Sequence, residues 1–172
     1  MDTDPKPRKQ FAGASLVNAE FRMADLAGAN MAGADLTGAN LEGADLNDAD
    51  LTGATLTEVY ARTLDAAKAD FSGADMAGIN LELANLSEAD LSGCELSNAY
   101  LRGADLTGCS LVGAELFGAN LEKVKLIEAD MQSATMKGAA MQYVRLTGAS
   151  LQGANFSAAN LEHADLSHAN LT

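Results

Sequence analysis

The chain has 172 residues, a length that suits one domain, and 48% of them are apolar although aromatics supply only 5% and tryptophan is absent. Twenty-four acidic residues against 11 basic ones leave a formal charge of −13, which excludes a protein built to grip nucleic-acid phosphates, because that needs a basic footprint. Two cysteines exclude a disulfide scaffold, two histidines leave little for a zinc site, and no apolar run suits a signal peptide or a membrane span; a cytoplasmic protein without membrane contact is expected.

Residues 1–10 hold both prolines and mixed charge and are expected to form a disordered leader, with one repeat domain over 11–172. From Phe11 to Leu171 every position ending in 1 or 6 is Leu, Met or Phe except Ala61 and Ala66. Two residues before each of these, from Ala14 to Ala169, stands Ala in 25 of 32 cases; the others are Val59, Leu64, Ile79, Cys94, Cys109, Val124 and Val144. The residue between is usually Asp, Asn, Glu, Ser or Thr, and all 16 glycines fall two places after the large apolar residue. A helix would smear these apolar positions around its circumference, since they advance about 500° per repeat. Small, polar, large is instead the in-out-in alternation of a short strand, followed by a two-residue corner. Glycine at the second corner position suits a type II turn, which needs φ > 0 there. Corners with Met23, Thr63, Leu83 or Lys123 at that place are expected to use another turn. One such side cannot bury its inward face alone, so the units must stack.

Runs such as Ala-Asp-Leu-Thr-Gly-Ala-Asn-Leu-Glu-Gly (34–43) resemble the pentapeptide-repeat family, with its Ala-Asp/Asn-Leu-x-x consensus, and the resemblance covers 12–172. It implies an all-β, right-handed quadrilateral parallel β-helix of four pentapeptides per coil, about eight coils in all, some 40 Å long at about 4.8 Å per coil. The sequence carries its own support for a twenty-residue coil. At that spacing Arg22, Glu42, Arg62, Glu82, Arg102 and Glu122 form one row of alternating sign, so that each neighbour would be a partner of opposite charge. Asp48, Lys68 and Glu88 alternate likewise, and Asp105 meets Lys125. Cross-strand pairs of this kind contribute roughly 0.2–1 kcal/mol each.

Ala61 and Ala66 are the irregularity. Bulk moved to Val59 and Leu64 would keep the interior full; alternatively, 59–68 bulges. Cys94 and Cys109 read as buried stand-ins for Ala, and His163 and His168 as surface corners. No catalytic constellation, phosphate loop or cofactor site stands out against the repeat, so no enzyme, no metal and no cofactor is expected.

Charge is uneven: residues 20–122 hold 18 acids and 4 bases, and residues 123–172 four of each. Fourteen acids take the outward strand position, giving rows such as Asp25, Asp45, Asp65 and Asp50, Asp70, Asp90 as candidate partner-binding surfaces for a basic groove. Tyr60 and Tyr100 alternate with Asn40, Asn80 and Asn120 in another row, while Val112, Phe117 and Ile127 also point outward. The stack stops at Thr172 with no capping helix, so either two molecules cover one another's C-terminal coil as an end-to-end homodimer or the chain is a piece of a longer one. Most pentapeptide-repeat proteins have no assigned activity, so the resemblance implies a non-catalytic interaction scaffold with an unknown protein partner and no direct nucleic-acid binding. Some relatives present an acidic rod resembling duplex DNA to DNA gyrase, which makes a DNA mimic the alternative.

Overall fold

Three residues per side are too few for a ladder of their own, and pairing here is confined to single bridged residues. Each outward residue bridges in parallel to its equivalent twenty positions on, from Gln10 with Asn30 to Ser150 with Asn170, without a slip. The computed structural model describes residues 9–172. Pairing begins inside the expected leader, where Lys9 carbonyl accepts Asn30 N–H at 2.8 Å and Gln10 bridges to Asn30; residues 1–8 of that leader lie outside the described residues.

Four independent rows of bridges make a four-sided parallel β-solenoid with twenty residues per coil. We number the faces in chain order by their outward residues. The first carries Asn30, Asp50, Asp70 and Asp90; the second Asp35, Thr55, Asp75, Glu95 and Glu115; the third Glu20, Asn40, Tyr60, Asn80, Tyr100 and Asn120; the fourth Asp25, Asp45, Asp65, Asn85, Asp105 and Lys125.

A single unit shows why the repeat has this chemistry. Leu36 N–H donates to Thr55 carbonyl in the next coil, Gly38 N–H to Thr57 carbonyl, and Asn40 N–H back to Ala19 carbonyl, while Ala39 N–H closes the corner onto Leu36 carbonyl. Only Thr37 N–H lacks a backbone partner, and the Asp35 carboxylate accepts it at 3.0 Å. A short polar acceptor at the outward position thus completes the hydrogen bonding of all five N–H groups, as buried backbone requires. Asn does this as well as Asp: Asn40 accepts from Glu42 N–H and Asn80 from Glu82 N–H, both at 3.1 Å.

The small and large inward positions fill the axis. From Leu26 to Leu151 they are all buried, and among the described residues no polar side chain is buried with them. Toward both ends the interior becomes half-buried, at Phe11, Leu16 and Phe21 and at Phe156, Leu161 and Leu166. Phe11 and Phe21 meet edge to face across the axis, centroids 6.1 Å apart, as aromatic pairs prefer.

The corners correct one expectation. All 32 have positive φ at their second residue, 16 at glycine and 16 at other residues. Met23, Thr63, Leu83 and Lys123, with φ of 58°, 54°, 58° and 61°, make the same turn as their glycine neighbours. The ladder overrides preference: Met23 N–H donates to Glu42 carbonyl and Ala24 N–H to Phe21 carbonyl, bonds that another turn would break. Left-handed backbone costs an L-residue roughly 1–2 kcal/mol, comparable with the net value of one or two hydrogen bonds. Bulky corner side chains then lean onto glycine in the following coil. A Cβ on Gly103 would stand 2.9 Å from Leu83 Cδ2, whereas one on Gly113 would meet nothing within 4 Å.

The coil with Ala61 and Ala66 is regular, which removes the bulge. Tyr60 bridges to Asn40 and Asn80 and Asp65 to Asp45 and Asn85, and Val59, Ala61, Leu64 and Ala66 are all buried. Bulk has changed places between the two inward positions. Leu64→Ala should therefore lower stability by about 2–5 kcal/mol in chemical denaturation, the cost of a cavity in a core that cannot collapse. Thr63→Gly, which relieves a β-branched residue in left-handed backbone, should raise stability by up to about 1 kcal/mol in the same measurement.

Candidate interaction surface

The stacking brings the expected acidic residues together. Asp25, Asp45 and Asp65 are successive on the fourth face and Asp50, Asp70 and Asp90 on the first, and these faces share a corner. A third row, Asp75, Glu95 and Glu115 on the second face, escaped the sequence reading although the same step of twenty finds it. The three rows start 25 residues apart, one coil and one face, so they form a single anionic stripe climbing around three sides of the rod. The third face interrupts it with Asn and Tyr.

These acids also hold their corners. Asp45 and Asp50 accept the N–H two residues on at 3.0 Å, and Asp70 and Asp90 do so at 2.9 Å. Asp65 instead accepts from the Asn85 amide at 2.8 Å. Since Asn makes the same corner bond on the third face, the bond does not ask for charge. Carboxylates about 5 Å apart repel by roughly 0.8 kcal/mol per neighbouring pair even at the dielectric of water. Folding gains nothing from that repulsion.

Elsewhere carboxylates are stabilised. The Thr37 hydroxyl and then its N–H hold the Asp35 carboxyl below the usual range, and the Ser167 hydroxyl and N–H, with Thr147, do this for Asp165. Burial pushes Asp105 up, but hydrogen bonds from Thr107 and Lys125 outweigh it and the net shift is downward. Lys123 holds Glu122 down by a hydrogen bond, with Arg102 adding its charge. Such lowered groups contribute stability that is complete above the unfolded carboxylate range near pH 4 and is lost as pH falls through their native values.

The alternating row is present but closes only in pairs. Arg22 meets Glu42 at 3.3 Å, Arg62 meets Glu82 at 3.3 Å and Arg102 meets Glu122 at 3.4 Å. Among the described residues Glu42 does not reach Arg62, nor Glu82 Arg102, because each arginine leans toward the following coil only. Lys68 likewise pairs with Glu88 at 3.8 Å and not with Asp48, and Lys125 with Asp105 at 2.9 Å. Exposed pairs of this kind add little each.

Cys94 and Cys109 are buried and free. Burial pushes both thiols up to about 12, which leaves them protonated and unreactive at neutral pH. His163 stacks on Tyr143 with centroids 4.8 Å apart and lies 3.3 Å from Glu162. No group of metal-binding side chains forms among the described residues, and no helix there is long and apolar enough to cross a membrane.

The third face has a shape of its own. Tyr60 and Tyr100 are 63% and 52% exposed and border an open groove of about 450 Å³ lined by Glu58, Val59, Gly78, Asn80 and Glu82. A second groove of about 300 Å³ follows at the next corner, between Arg62, Leu83, Arg102 and Lys123.

Comparison with known proteins agrees with this geometry. The model of pentapeptide repeats matches in eight copies that together run from residue 10 to residue 172. The crystal structure of HetL, a pentapeptide repeat protein involved in heterocyst differentiation regulation in the cyanobacterium Nostoc, is 32% identical, with a TM-score of 0.71 over 95% of this chain and 76% of HetL. Trypsin-treated QnrB1, a plasmid-mediated fluoroquinolone resistance protein, is 21% identical, with a TM-score of 0.66 over 96% of this chain and 87% of its own; at that identity the likeness is one of fold. No curated protein sequence matches the chain.

Replacing Asp50, Asp70 and Asp90 together by Asn keeps the corner bonds and removes the repulsion. The triple variant should melt about 3–5 °C higher than the parent at low salt. The difference should shrink by more than half in 0.5 M NaCl, as screening does the same work in the parent.

Proposed function

This chain belongs to the pentapeptide-repeat family, and on that premise we propose that it is a non-catalytic scaffold whose anionic stripe docks a basic groove on a protein partner. The observation that carries this is the use of Asp where Asn would serve. Three rows of three carboxylates each repel along the axis, while the third face makes the same corner bonds with neutral amides. A charge pattern that costs stability and is confined to three faces is explained by complementarity to a positive surface, which steers association and selects partners. The finer architecture belongs to the same proposal: a right-handed rod of about eight coils, about 40 Å long.

One number favours a second reading, a mimic of duplex DNA that binds DNA gyrase. Residues 20–122 hold 18 acids less 4 bases, a net −14. They occupy about five coils, or about 25 Å of axis at ordinary strand spacing. That is one net charge per roughly 1.8 Å, against about 1.7 Å for B-DNA.

Two measurements separate the readings. In a supercoiling assay at low salt, a mimic at micromolar concentration inhibits gyrase and competes with DNA, and the variant with Asp50, Asp70 and Asp90 replaced by Asn does not. An unchanged rate removes the mimic. The scaffold predicts that crosslinking in native cells joins the parent chain to a basic partner and that the same variant loses it. A partner set identical for parent and variant sinks the stripe as the docking surface.

A further inference from the structure

Outward positions of the repeat normally carry an acceptor for the N–H two residues on. Tyr60 and Tyr100 break that rule. They stand where Asn40, Asn80 and Asn120 stand in the coils between, and Arg62 and Arg102 N–H make no hydrogen bond among the described residues, whereas Glu82 and Glu122 N–H are held by Asn at 3.1 Å. On this face the acceptor is missing at every second coil, at Tyr60, Tyr100 and Ala140. At the first two of these an exposed aromatic stands in its place, which the corner does not require and which marks residues kept for something other than the fold.

The two tyrosines are two coils apart, so their backbones are about 10 Å apart at ordinary strand spacing. A planar group stacked on both rings needs them about 7–8 Å apart, which rings attached 10 Å apart reach by leaning inward. Between them lies Asn80, and the corner below is Gly78, whose missing side chain opens the floor; the stem of Glu58 passes over it, with Cγ 3.9 Å from where a Cβ would be. Glu82 at the edge is already paired with Arg62. Among the described residues Glu58 has no ion pair, and the groove lining holds two carboxylates and no cation.

We propose that this groove receives an arginine side chain of a protein partner, with the guanidinium between Tyr60 and Tyr100 and its N–H groups turned to Glu58. Arginine meets each demand at once: it is flat and stacks on both ring faces, it is permanently charged, and it presents several donors to a carboxylate. A lysine ammonium is charged but not flat. An anionic group would enter against the net −14 of residues 20–122. The site lies on the face that the anionic stripe avoids, so it goes beyond the proposed function and can fail or succeed independently.

The test uses the full chain and a defined probe, the peptide acetyl-Gly-Ser-Arg-Ser-Gly-amide, with the neutral citrulline analogue and the lysine analogue beside it. Ring signals of Tyr60, Tyr100 and Tyr143 are followed by NMR during titration. The arginine peptide should shift Tyr60 and Tyr100 saturably, with a dissociation constant on the order of 1 mM, while Tyr143 stays still. Citrulline should bind about tenfold more weakly and lysine about threefold. Tyr60→Leu, Tyr100→Leu and Glu58→Gln should each weaken the arginine peptide by at least about threefold. Melting temperatures of these surface variants report that the fold is kept. The proposal is overturned by equal response to citrulline, by undiminished binding in the tyrosine variants, by shifts confined to the amides of Asp50, Asp70 and Asp90, or by no saturable shift. Ring shifts that appear on concentrating the protein alone would assign the arginine to a second copy and overturn the partner.

Discussion

Backbone hydrogen bonds between residues nineteen to twenty-one positions apart tie each coil to the next, and everything else here follows from their constancy. Leu36 to Thr55, Gly38 to Thr57 and Thr55 to Ala34 recur in every unit between the ends. Individually such bonds add only about 1 kcal/mol net, but dozens in series leave no room for a local exception. They force Thr63 and Leu83 into left-handed backbone, keep the Ala61–Ala66 coil in step, and decide which outward side chains are neighbours.

That last consequence turns sequence into surface chemistry. A side chain on this rod has two axial neighbours fixed by arithmetic, so a residue chosen at position n acts on those at n − 20 and n + 20. Arg62 beside Glu82 is helped by this rule, and Asp70 between Asp50 and Asp90 is penalised by it. Asn at the same positions would satisfy the same corner without penalty. The rod is therefore stable because of its interior and ladder, while its exterior is free to carry charge that does not serve the fold.

Much of this could be read from the amino acids. Two apolar registers predicted the interior residue by residue, and the alternation from Arg22 to Glu122 predicted the coil length, because a strict period leaves only one spacing that pairs opposite charges. Met23 and Lys123 misled because turn propensity describes an isolated corner, whereas here the neighbouring coils dictate it. The closing of the charge row in pairs was hidden as well, since it depends on which way each guanidinium leans. The row Asp75, Glu95, Glu115 was legible and needed only the step of twenty to be applied to every face. The groove between Tyr60 and Tyr100 was half legible: the alternation is in the sequence, but the open floor at Gly78 and the course of Glu58 over it are matters of side-chain placement.

Engineered disulfides test the twenty-residue register directly. Cysteines placed at Asp50 and Asp70 are one coil apart on the first face, with Cα atoms about 5 Å apart in adjacent parallel strands, within the range a disulfide spans. Cysteines at Asp50 and Asp65 are fifteen residues apart and fall on different faces. Under mild oxidation the first pair should crosslink within the monomer nearly completely and the second should not, with buried Cys94 and Cys109 silent in both. Equal crosslinking of the two pairs, or preference for the fifteen-residue pair, would contradict the register and with it every row of neighbours described above.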